Sequence, residues 1–147
     1  MMITFEIPGD PVGWKRPIPV ISKSGKRHSF EDAKVKSWRS YIKDRASEVM
    51  QGKPLLGGDP KHKIPITLEV NFFIARPQRL YRKKDAEGTV PHVSPPDCSN
   101  FIKGVEDAMN GIVYIDDCYI WCLIVTKMYH AKSDKPHTIV KVEELEF

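Results

Sequence analysis

Residues 96–112 of this chain read PDCSNFIKGVEDAMNGI, and this stretch predicts the helix around which the rest of the fold is organised. A proline pair at positions 95 and 96 disfavours helix upstream, and Asp97 or Ser99 can cap the first turn. An Asn-Gly pair at 110 and 111 marks the end. Apolar side chains recur at helical spacing on one face: Phe101, Ile102, Val105, Ala108, Met109 and Ile112. The pattern predicts an amphipathic helix over about 97–110 with one buried side.

The opposite face of this helix carries groups suited to phosphodiester chemistry. Asn100, Lys103 and Asp107 line it at i, i+3 and i+7, and two more acids, at 116 and 117, precede an apolar strand over 120–125. Mg²⁺ prefers oxygen ligands and keeps several waters, so few carboxylates suffice to hold it. Such an ion activates water, and a lysine beside it neutralises phosphate charge. Taken singly, Asp97 is more typical of a helix cap and the acid pair of a solvated turn, so only the joint spacing favours a metal site.

Three motifs between residues 96 and 120 resemble the signature of the RusA-type Holliday junction resolvases: Pro-Asp-x-x-Asn-x-x-Lys, Asp-Ala-x-Asn-Gly and Asp-Asp-x-x-Ile. The resemblance covers most of the chain, because residues 3–17 are similar to the family's first strand and basic loop. It implies an Mg²⁺-dependent endodeoxyribonuclease, with Mn²⁺ as a substitute, that acts as a homodimer on four-way DNA junctions in recombination and repair. Members are often encoded by phages and prophages, which implies action in the cytoplasm of a bacterial host.

The same resemblance implies roles for individual residues. Asp97 and Asp117 match catalytic aspartates that bind the metal, and Lys103 matches the catalytic lysine. Recurring motif positions of less certain role are held by Asn100, Asp107 and Asp116. We include Asp116 as a third candidate metal ligand because it adjoins Asp117.

One position departs from the family pattern. The pattern is usually Asp-x-Asp-Asn, and Ser99 stands where the second aspartate is expected. A neutral hydroxyl is a poorer Mg²⁺ ligand than a carboxylate. Activity is then weaker, or a water bridges the gap, or another acid such as Glu69 substitutes, although a surface role is more typical of Glu69. Two alternatives to the nuclease stay open: a module that binds branched DNA without cutting it, and a structural or regulatory protein that needs no nucleic acid.

Two basic segments predict contact with a DNA backbone. The first, residues 10–28, is expected to form an irregular loop that includes Lys15 and Arg16; its alternative is a solvated loop with Trp14 packed beneath it. The second, residues 76–96, is long, lacks periodicity and leads directly into Asp97. Its basic side chains are Arg76, Arg79, Arg82, Lys83 and Lys84. His92 in the same loop is able to move a proton, but an incidental role is more typical.

The composition fits one domain over residues 1–147 that is long enough to bury a core. The net charge of +4 and the pI of about 8.9 are weak support for a polyanionic partner. Three unevenly spaced cysteines are more typical of core thiols in a reducing cytosol than of a metal site. No signal peptide or long apolar run is present in the sequence, so neither secretion nor membrane insertion is expected.

The remaining segments predict how the central helix is packed. We expect a strand over 2–7, a helix from a cap at Ser29 to Met50, a strand over 64–75 and a strand over 119–130. The last of these is apolar on both faces, which favours a central strand or a subunit interface. His137 to Phe147 is expected to return beside it as a hairpin partner. The order β-α-β-α-β-β predicts an α+β fold, with two main helices packed on one face of a mixed sheet.

Overall fold

The computed structural model describes residues 1–146 and contains two helices and nine strands within that range. The helices are α1 (Ala33–Met50) and α2 (Cys98–Met109). The longer strands are β1 (Met2–Pro8), β6 (Ile66–Ile74), β8 (Ile120–Tyr129) and β9 (His137–Glu144). The shorter strands are β2 (Ile18–Ile21), β3 (Arg27–Phe30), β4 (Gly58–Asp59), β5 (His62–Lys63) and β7 (Val90–Pro91). A short 3-10 turn, Asp117–Tyr119, precedes β8.

The main sheet has five strands in the spatial order β1-β9-β6-β8-β7. Strand β8 runs parallel to β6, and the other neighbouring pairs are antiparallel. The sheet is therefore mixed, as the sequence predicts. Two small antiparallel hairpins, β2-β3 and β4-β5, form separate sheets.

The core lies between the two helices and one face of the main sheet. Alternate residues of β1, β9 and β6 point into it, and in β6 these are Ile66, Leu68, Val70 and Phe72. Helix α1 contributes Trp38 and Ile42, and α2 contributes Phe101, whose ring stacks on that of Phe72 at 5.1 Å. Burial of each large apolar side chain contributes about 1.5–3 kcal/mol, so this shared interface fixes how the helices sit on the sheet. The predicted α+β class is confirmed.

Helix α1 begins later than predicted. Its cap is Asp32, whose side chain accepts hydrogen bonds from the backbone N–H groups of Lys34 at 2.9 Å and Val35 at 3.3 Å. The expected cap, Ser29, lies instead in β3, opposite Pro19 of β2. Residues 18–30 thus form a hairpin, and the prediction of an irregular loop over 10–28 is wrong for this part of it. Both strands are exposed along their whole length, so no burial alternation in the sequence marked them.

The predicted pairing of the last strand with β8 is also wrong. Strand β9 lies between β1 and β6, where both of its edges are bonded and its buried row, which includes Val140 and Val142, faces the helices. This placement satisfies more backbone groups than a hairpin at the sheet margin would. Phe147, the end of the predicted segment, lies outside the described residues. Strand β8 is consequently not central: β7 pairs only with Met128 and Tyr129.

Neither helix within residues 1–146 has the length and apolar character needed to cross a lipid bilayer.

Candidate active site

Helix α2 presents its predicted polar face outward. Its apolar face is buried, while Lys103 and Asp107 are exposed and Asn100 is half-buried. Asp97 occupies the N-cap position in an extended conformation, yet its side chain makes no capping hydrogen bond. The carboxylate of Asp97 is exposed, and it is free to bind a ligand because it does not serve the helix.

The loop that carries Asp97 is anchored to the sheet by Lys127. The Lys127 Nζ donates hydrogen bonds to the backbone carbonyls of Ser94 at 2.7 Å and Pro96 at 2.8 Å. Hydrogen bonds from a charged donor are shorter and stronger than neutral ones. Strand β8 thus fixes the backbone directly before Asp97. Sequence reasoning missed this role, although a lysine in an otherwise apolar strand was a visible signal.

Lys103 lies over the ring of Trp14. The Nζ is 4.6 Å from the ring centroid, and the backbone N–H of Trp14 donates to the Asn100 carbonyl at 2.8 Å. The first basic segment is therefore packed against α2 at this point, and Trp14 is half-buried beneath the lysine. A cation over an indole is attracted by about 0.5–1 kcal/mol at an exposed site. Trp14 restricts where the Lys103 ammonium can lie.

The pKa values of the two acids before β8 are shifted in opposite directions. The Asp116 Oδ1 accepts a hydrogen bond from the Cys118 backbone N–H at 3.0 Å and caps the short turn, and this bond lowers the pKa of Asp116. Burial raises the pKa of Asp117, and the neighbouring Asp116 and Asp107 raise it further. Asp107 of α2 and Asp117 therefore lie close enough to repel each other.

A fourth acid, Glu106, joins this group. Burial raises the pKa of Glu106, followed by repulsion from Asp117 and Asp107. We call Glu106, Asp107, Asp116 and Asp117 the acidic cluster; it lies where the second half of α2 faces the turn before β8. Sequence reasoning did not select Glu106, even though it lies three residues after Lys103. Repulsion between these carboxylates favours the binding of a proton or a cation.

The structure brings only part of the predicted metal site together. Within residues 1–146, no three or more His, Cys, Asp and Glu side chains are arranged to hold a metal ion. Asp97 precedes Asp107 by ten residues, or roughly 15 Å along a helix axis at about 1.5 Å per residue, whereas Asp107 lies near Asp117. The donor chemistry, mutually repelling carboxylates of which Asp107 and Asp116 are exposed and Glu106 and Asp117 half-buried, fits a hard divalent cation. A ligand set that unites Asp97 with Asp116 and Asp117 is not assembled.

Glu69 does not replace the missing aspartate. It alternates in β6 with the buried Leu68 and Val70, so it points to the opposite face of the sheet from α2. Around it on that open face lie Ile124 and Lys141. The sheet itself therefore separates Glu69 from Ser99, which contradicts the alternative that Glu69 substitutes for the aspartate and agrees with the surface role that is more typical of it.

The prediction that Arg76 contacts DNA is also wrong. It is only 6% exposed, and its guanidinium donates to the carbonyls of Leu80, Ala86, Gly88 and His130. A side chain bound in this way holds the long loop closed and offers no free charge to DNA. Composition counts its charge, but only the fold shows where that charge is used.

The other predicted DNA contacts remain at the surface. Lys15, Arg16, Arg79, Arg82, Lys83 and Lys84 are all exposed. Arg82 also bonds to Asp85 at 3.2 Å, and Lys15 lies 3.5 Å from Asp32. His92 is buried, and burial together with Lys127 lowers its pKa. His92 packs edge-on against Tyr129 at 4.9 Å, which gives it a packing role in the loop.

Known proteins are similar to this chain over most of its length. The family model for the endodeoxyribonuclease RusA matches residues 8–143. The chain belongs to the RusA family. It is also 29% identical over 148 residues to the uncharacterized protein YqaN of Bacillus subtilis strain 168, an alignment that covers 97% of this chain and 96% of that protein. The predicted family and the predicted class of enzyme, an endodeoxyribonuclease, are confirmed.

Members of the RusA family share a general function. The family comprises endonucleases that resolve Holliday junctions, so its members bind branched DNA, and they generally depend on a divalent metal. Residues 96–120, which hold the three motifs discussed above, lie entirely within the matched region.

Proposed function

We propose that residues 1–147 act as a single Mg²⁺-dependent endonuclease domain that cuts four-way DNA junctions in recombination and repair. The observation that carries this proposal is the exposed face of α2, where a lysine lies between an unengaged carboxylate, Asp97, and the acidic cluster. This face combines groups that bind a cation with one that binds a phosphate. The family supplies the reaction class, and the chemistry of this face supports the proposal that the reaction takes place there.

The side chains divide the work by their chemistry. Asp97 and Asp117, with Asp116 as a third ligand, would hold the ion, which requires Asp97 to come closer to the acid pair than it lies in this structure. Mg²⁺, or Mn²⁺ in its place, would supply an activated water and neutralise phosphate charge. Lys103 is the group that stabilises negative charge on the scissile phosphate. Trp14 keeps the Lys103 ammonium at 4.6 Å from its ring centroid, so the lysine is positioned before DNA arrives.

The exposed basic side chains would position the DNA. Those on the loop before Asp97 are Arg79, Arg82, Lys83 and Lys84, and those on the first basic segment are Lys15 and Arg16. Contacts to phosphates fix register and orientation without reading sequence, which suits an enzyme that recognises a shape. Asn100 supports this surface, because its carbonyl binds the Trp14 backbone N–H.

We further propose that two copies of the chain act together. In β8, Trp121, Leu123 and Ile124 are 62%, 44% and 43% exposed, and β7 pairs only with the far end of this strand. A free strand edge with exposed apolar side chains is a surface that a second copy can cover. A two-fold dimer would present two sites to the two strands of a symmetric junction. The cytoplasm of a bacterial host, with a phage or prophage origin, suits this activity.

Cleavage of a synthetic four-way junction tests the proposal. The parent protein should cut the junction when Mg²⁺ is added, and Asp97→Asn and Asp117→Asn should each abolish cutting while leaving junction binding largely intact. Asp44→Asn, which changes an exposed acid on α1, is the matched control and should cut at the parent rate. Parent-level cutting by both site variants would show that the metal ligands lie elsewhere.

A module that binds junctions without cutting them is the second candidate. It is favoured by Ser99, which is exposed in the first turn of α2 and brings no carboxylate, and by Glu69, which lies on the wrong face of the sheet. Salt-sensitive junction binding with no cleavage at any Mg²⁺ or Mn²⁺ concentration would select this function.

A further inference from the structure

The hairpin of β2 and β3, residues 18–30, exposes apolar side chains that nothing in the described chain covers. We call this hairpin the arm. Ile18 pairs with Phe30, and Val20 next to them lies on the same face; these three are 67%, 63% and 36% exposed. Ile21, which is 71% exposed, lies on the other face. Single exposed hydrophobic residues are ordinary, but a group of them on a two-stranded hairpin marks an interaction surface.

The base of the arm is fixed beside the candidate active site. Trp14 binds the Asn100 carbonyl and lies under Lys103, four residues before β2 begins. At the other end of the hairpin, Asp32 caps α1 and lies 3.5 Å from Lys15. Both ends of the arm are therefore held next to the residues that would contact the scissile phosphate. A substrate bound at that site lies within reach of the arm.

The tip of the arm is basic and is closed by backbone hydrogen bonds. The backbone N–H of Ser22 donates to the Lys26 carbonyl at 2.9 Å, and that of Gly25 donates to the Ser22 carbonyl at 2.9 Å, with Gly25 at a φ of +79°. Lys23, Lys26 and Arg27 are exposed, and none forms an ion pair with residues 1–146. Unneutralised positive charge at the end of a projecting hairpin complements a phosphate backbone.

We propose that the arm binds DNA at the branch point: Ile18 and Phe30 pack against bases exposed there, and the basic tip holds the adjoining phosphates. An apolar face combined with cations fits nucleic acid whose bases are unstacked, because aromatic side chains stack on free bases while lysine and arginine bind the backbone. Paired, continuous duplex hides its base faces and offers only phosphates. The arm thus gives the enzyme its preference for branched over linear DNA. This inference rests on the proposed function.

The experiment compares binding to two DNAs. Fluorescence anisotropy measures the affinity of each variant for a four-way junction and for a linear duplex built from the same sequence, without divalent metal so that no cutting occurs. The test variant is Ile18→Thr with Phe30→Thr, because the β-branched side chain of threonine suits a strand. The matched control is Ile21→Thr, which removes an equally exposed isoleucine from the opposite face. Phe30→Tyr keeps an aromatic ring and tests stacking.

The double variant should bind the junction about tenfold more weakly, since loss of one stacked base corresponds to about one factor of ten in affinity. Its duplex affinity should change less than twofold, and Ile21→Thr and Phe30→Tyr should behave as the parent. The melting temperature of the double variant should stay close to that of the parent, because the altered side chains are exposed.

Three results would overturn the proposal. Unchanged junction affinity in the double variant would remove the arm from the branch. An equal loss on junction and duplex would make the arm a general DNA contact with no selectivity. A lower molecular mass for the double variant than for the parent, measured by light scattering, would show that the apolar face of the arm covers a second copy of the chain. If the parent itself fails to bind the junction, the proposed function fails first, and this inference fails with it.

Discussion

Arg76 offers the sharpest test of how this fold uses its charges. The side chain is 6% exposed and donates four hydrogen bonds to backbone carbonyls: Nε to Leu80, Nη2 to Ala86, and Nη1 to both Gly88 and His130. Its guanidinium also lies 5.6 Å from the ring centroid of Tyr81. We compare Arg76→Met, which removes the charge, with Arg76→Lys, which retains the charge but loses the planar fork.

The expected change in the free energy of unfolding follows from these hydrogen bonds. A hydrogen bond to a charged group contributes about 1.5–3 kcal/mol, but fixing an arginine costs about 2 kcal/mol of side-chain entropy and the four bonds are not additive. We expect Arg76→Met to lower the free energy of unfolding by about 4 kcal/mol, and Arg76→Lys by about 3 kcal/mol because one ammonium cannot reach four carbonyls. At about 3 °C per kcal/mol for a chain of this size, each loss is about 10 °C in melting temperature.

Thermal unfolding followed by circular dichroism gives the stability, and anisotropy on a four-way junction gives the affinity. Arg79→Lys is the matched control, because Arg79 is an exposed arginine of the same loop. It should leave the melting temperature unchanged within about 2 °C, as is usual for surface substitutions. The reasoning would be refuted if Arg76→Lys melted like the parent. Suppose that Arg76→Lys melted like the parent and also bound the junction like the parent, whereas Arg76→Met did not bind it. Arg76 would then be a charge that DNA contacts directly.

Four further predictions follow from single features. Burial and neighbouring acids raise the pKa of Asp117, so its ionised form destabilises the fold. The Asp117→Asn variant should therefore have a higher melting temperature than the parent at pH 7, where Asp117 is ionised. At pH 3, where Asp117 is protonated, the two melting temperatures should agree. Gly104→Ala should raise the free energy of unfolding by about 1 kcal/mol in denaturant titration, because a Cβ there would lie an ordinary 3.9 Å from Trp38; a loss would show that α1 and α2 require the glycine. Ser99→Asp should increase the Mg²⁺ affinity in calorimetry or the cleavage rate, with no loss of stability, since a carboxylate is favourable at a helix start; no change in either would mean that the serine is already compensated. Trp121→Lys should convert a dimer into a monomer by light scattering, and a parent of single-chain mass at micromolar concentration would contradict the β8 interface.

The elements with a strong periodic pattern were predictable from the sequence. Helix α2 runs from Cys98 to Met109 with Asp97 and Asn110 as its caps, because an apolar stripe and clear end signals specify it locally. Strand β6 alternates as expected, with Leu68 and Phe72 in its buried row. Two of the three family motifs lie on α2, and the third begins with Asp116 and Asp117 in the turn before β8. The resemblance to the family, rather than periodicity, selected the candidate catalytic lysine and aspartates, and their roles stay predictions.

The features that the sequence did not predict depend mostly on contacts between residues distant in the chain. The position of β9 is decided by pairing with β1 and β6, and no local pattern encodes that choice. The arm lacks a buried row, so alternation could not reveal its strands. The roles of Trp14, Arg76 and Lys127 arise from partners 86, 54 and 31 residues away, respectively, namely Asn100, His130 and Pro96. A count of charges in the sequence treats a buried guanidinium and an exposed one alike.

The loop between Arg76 and Asp97 is held in place before any DNA is bound. Arg76 fixes its start, Lys127 fixes its end, and Lys132 binds the Arg82 carbonyl at 2.8 Å near its middle. A flexible loop would have to lose backbone freedom upon binding, at a cost of about 1–2 kcal/mol for each residue ordered. Here that freedom is already lost on folding, so if Lys83 and Lys84 bind phosphates as proposed, only their side chains have to be ordered. The hydrogen bonds hold the loop as a preformed surface, and we expect the DNA rather than the loop to adapt when the two meet.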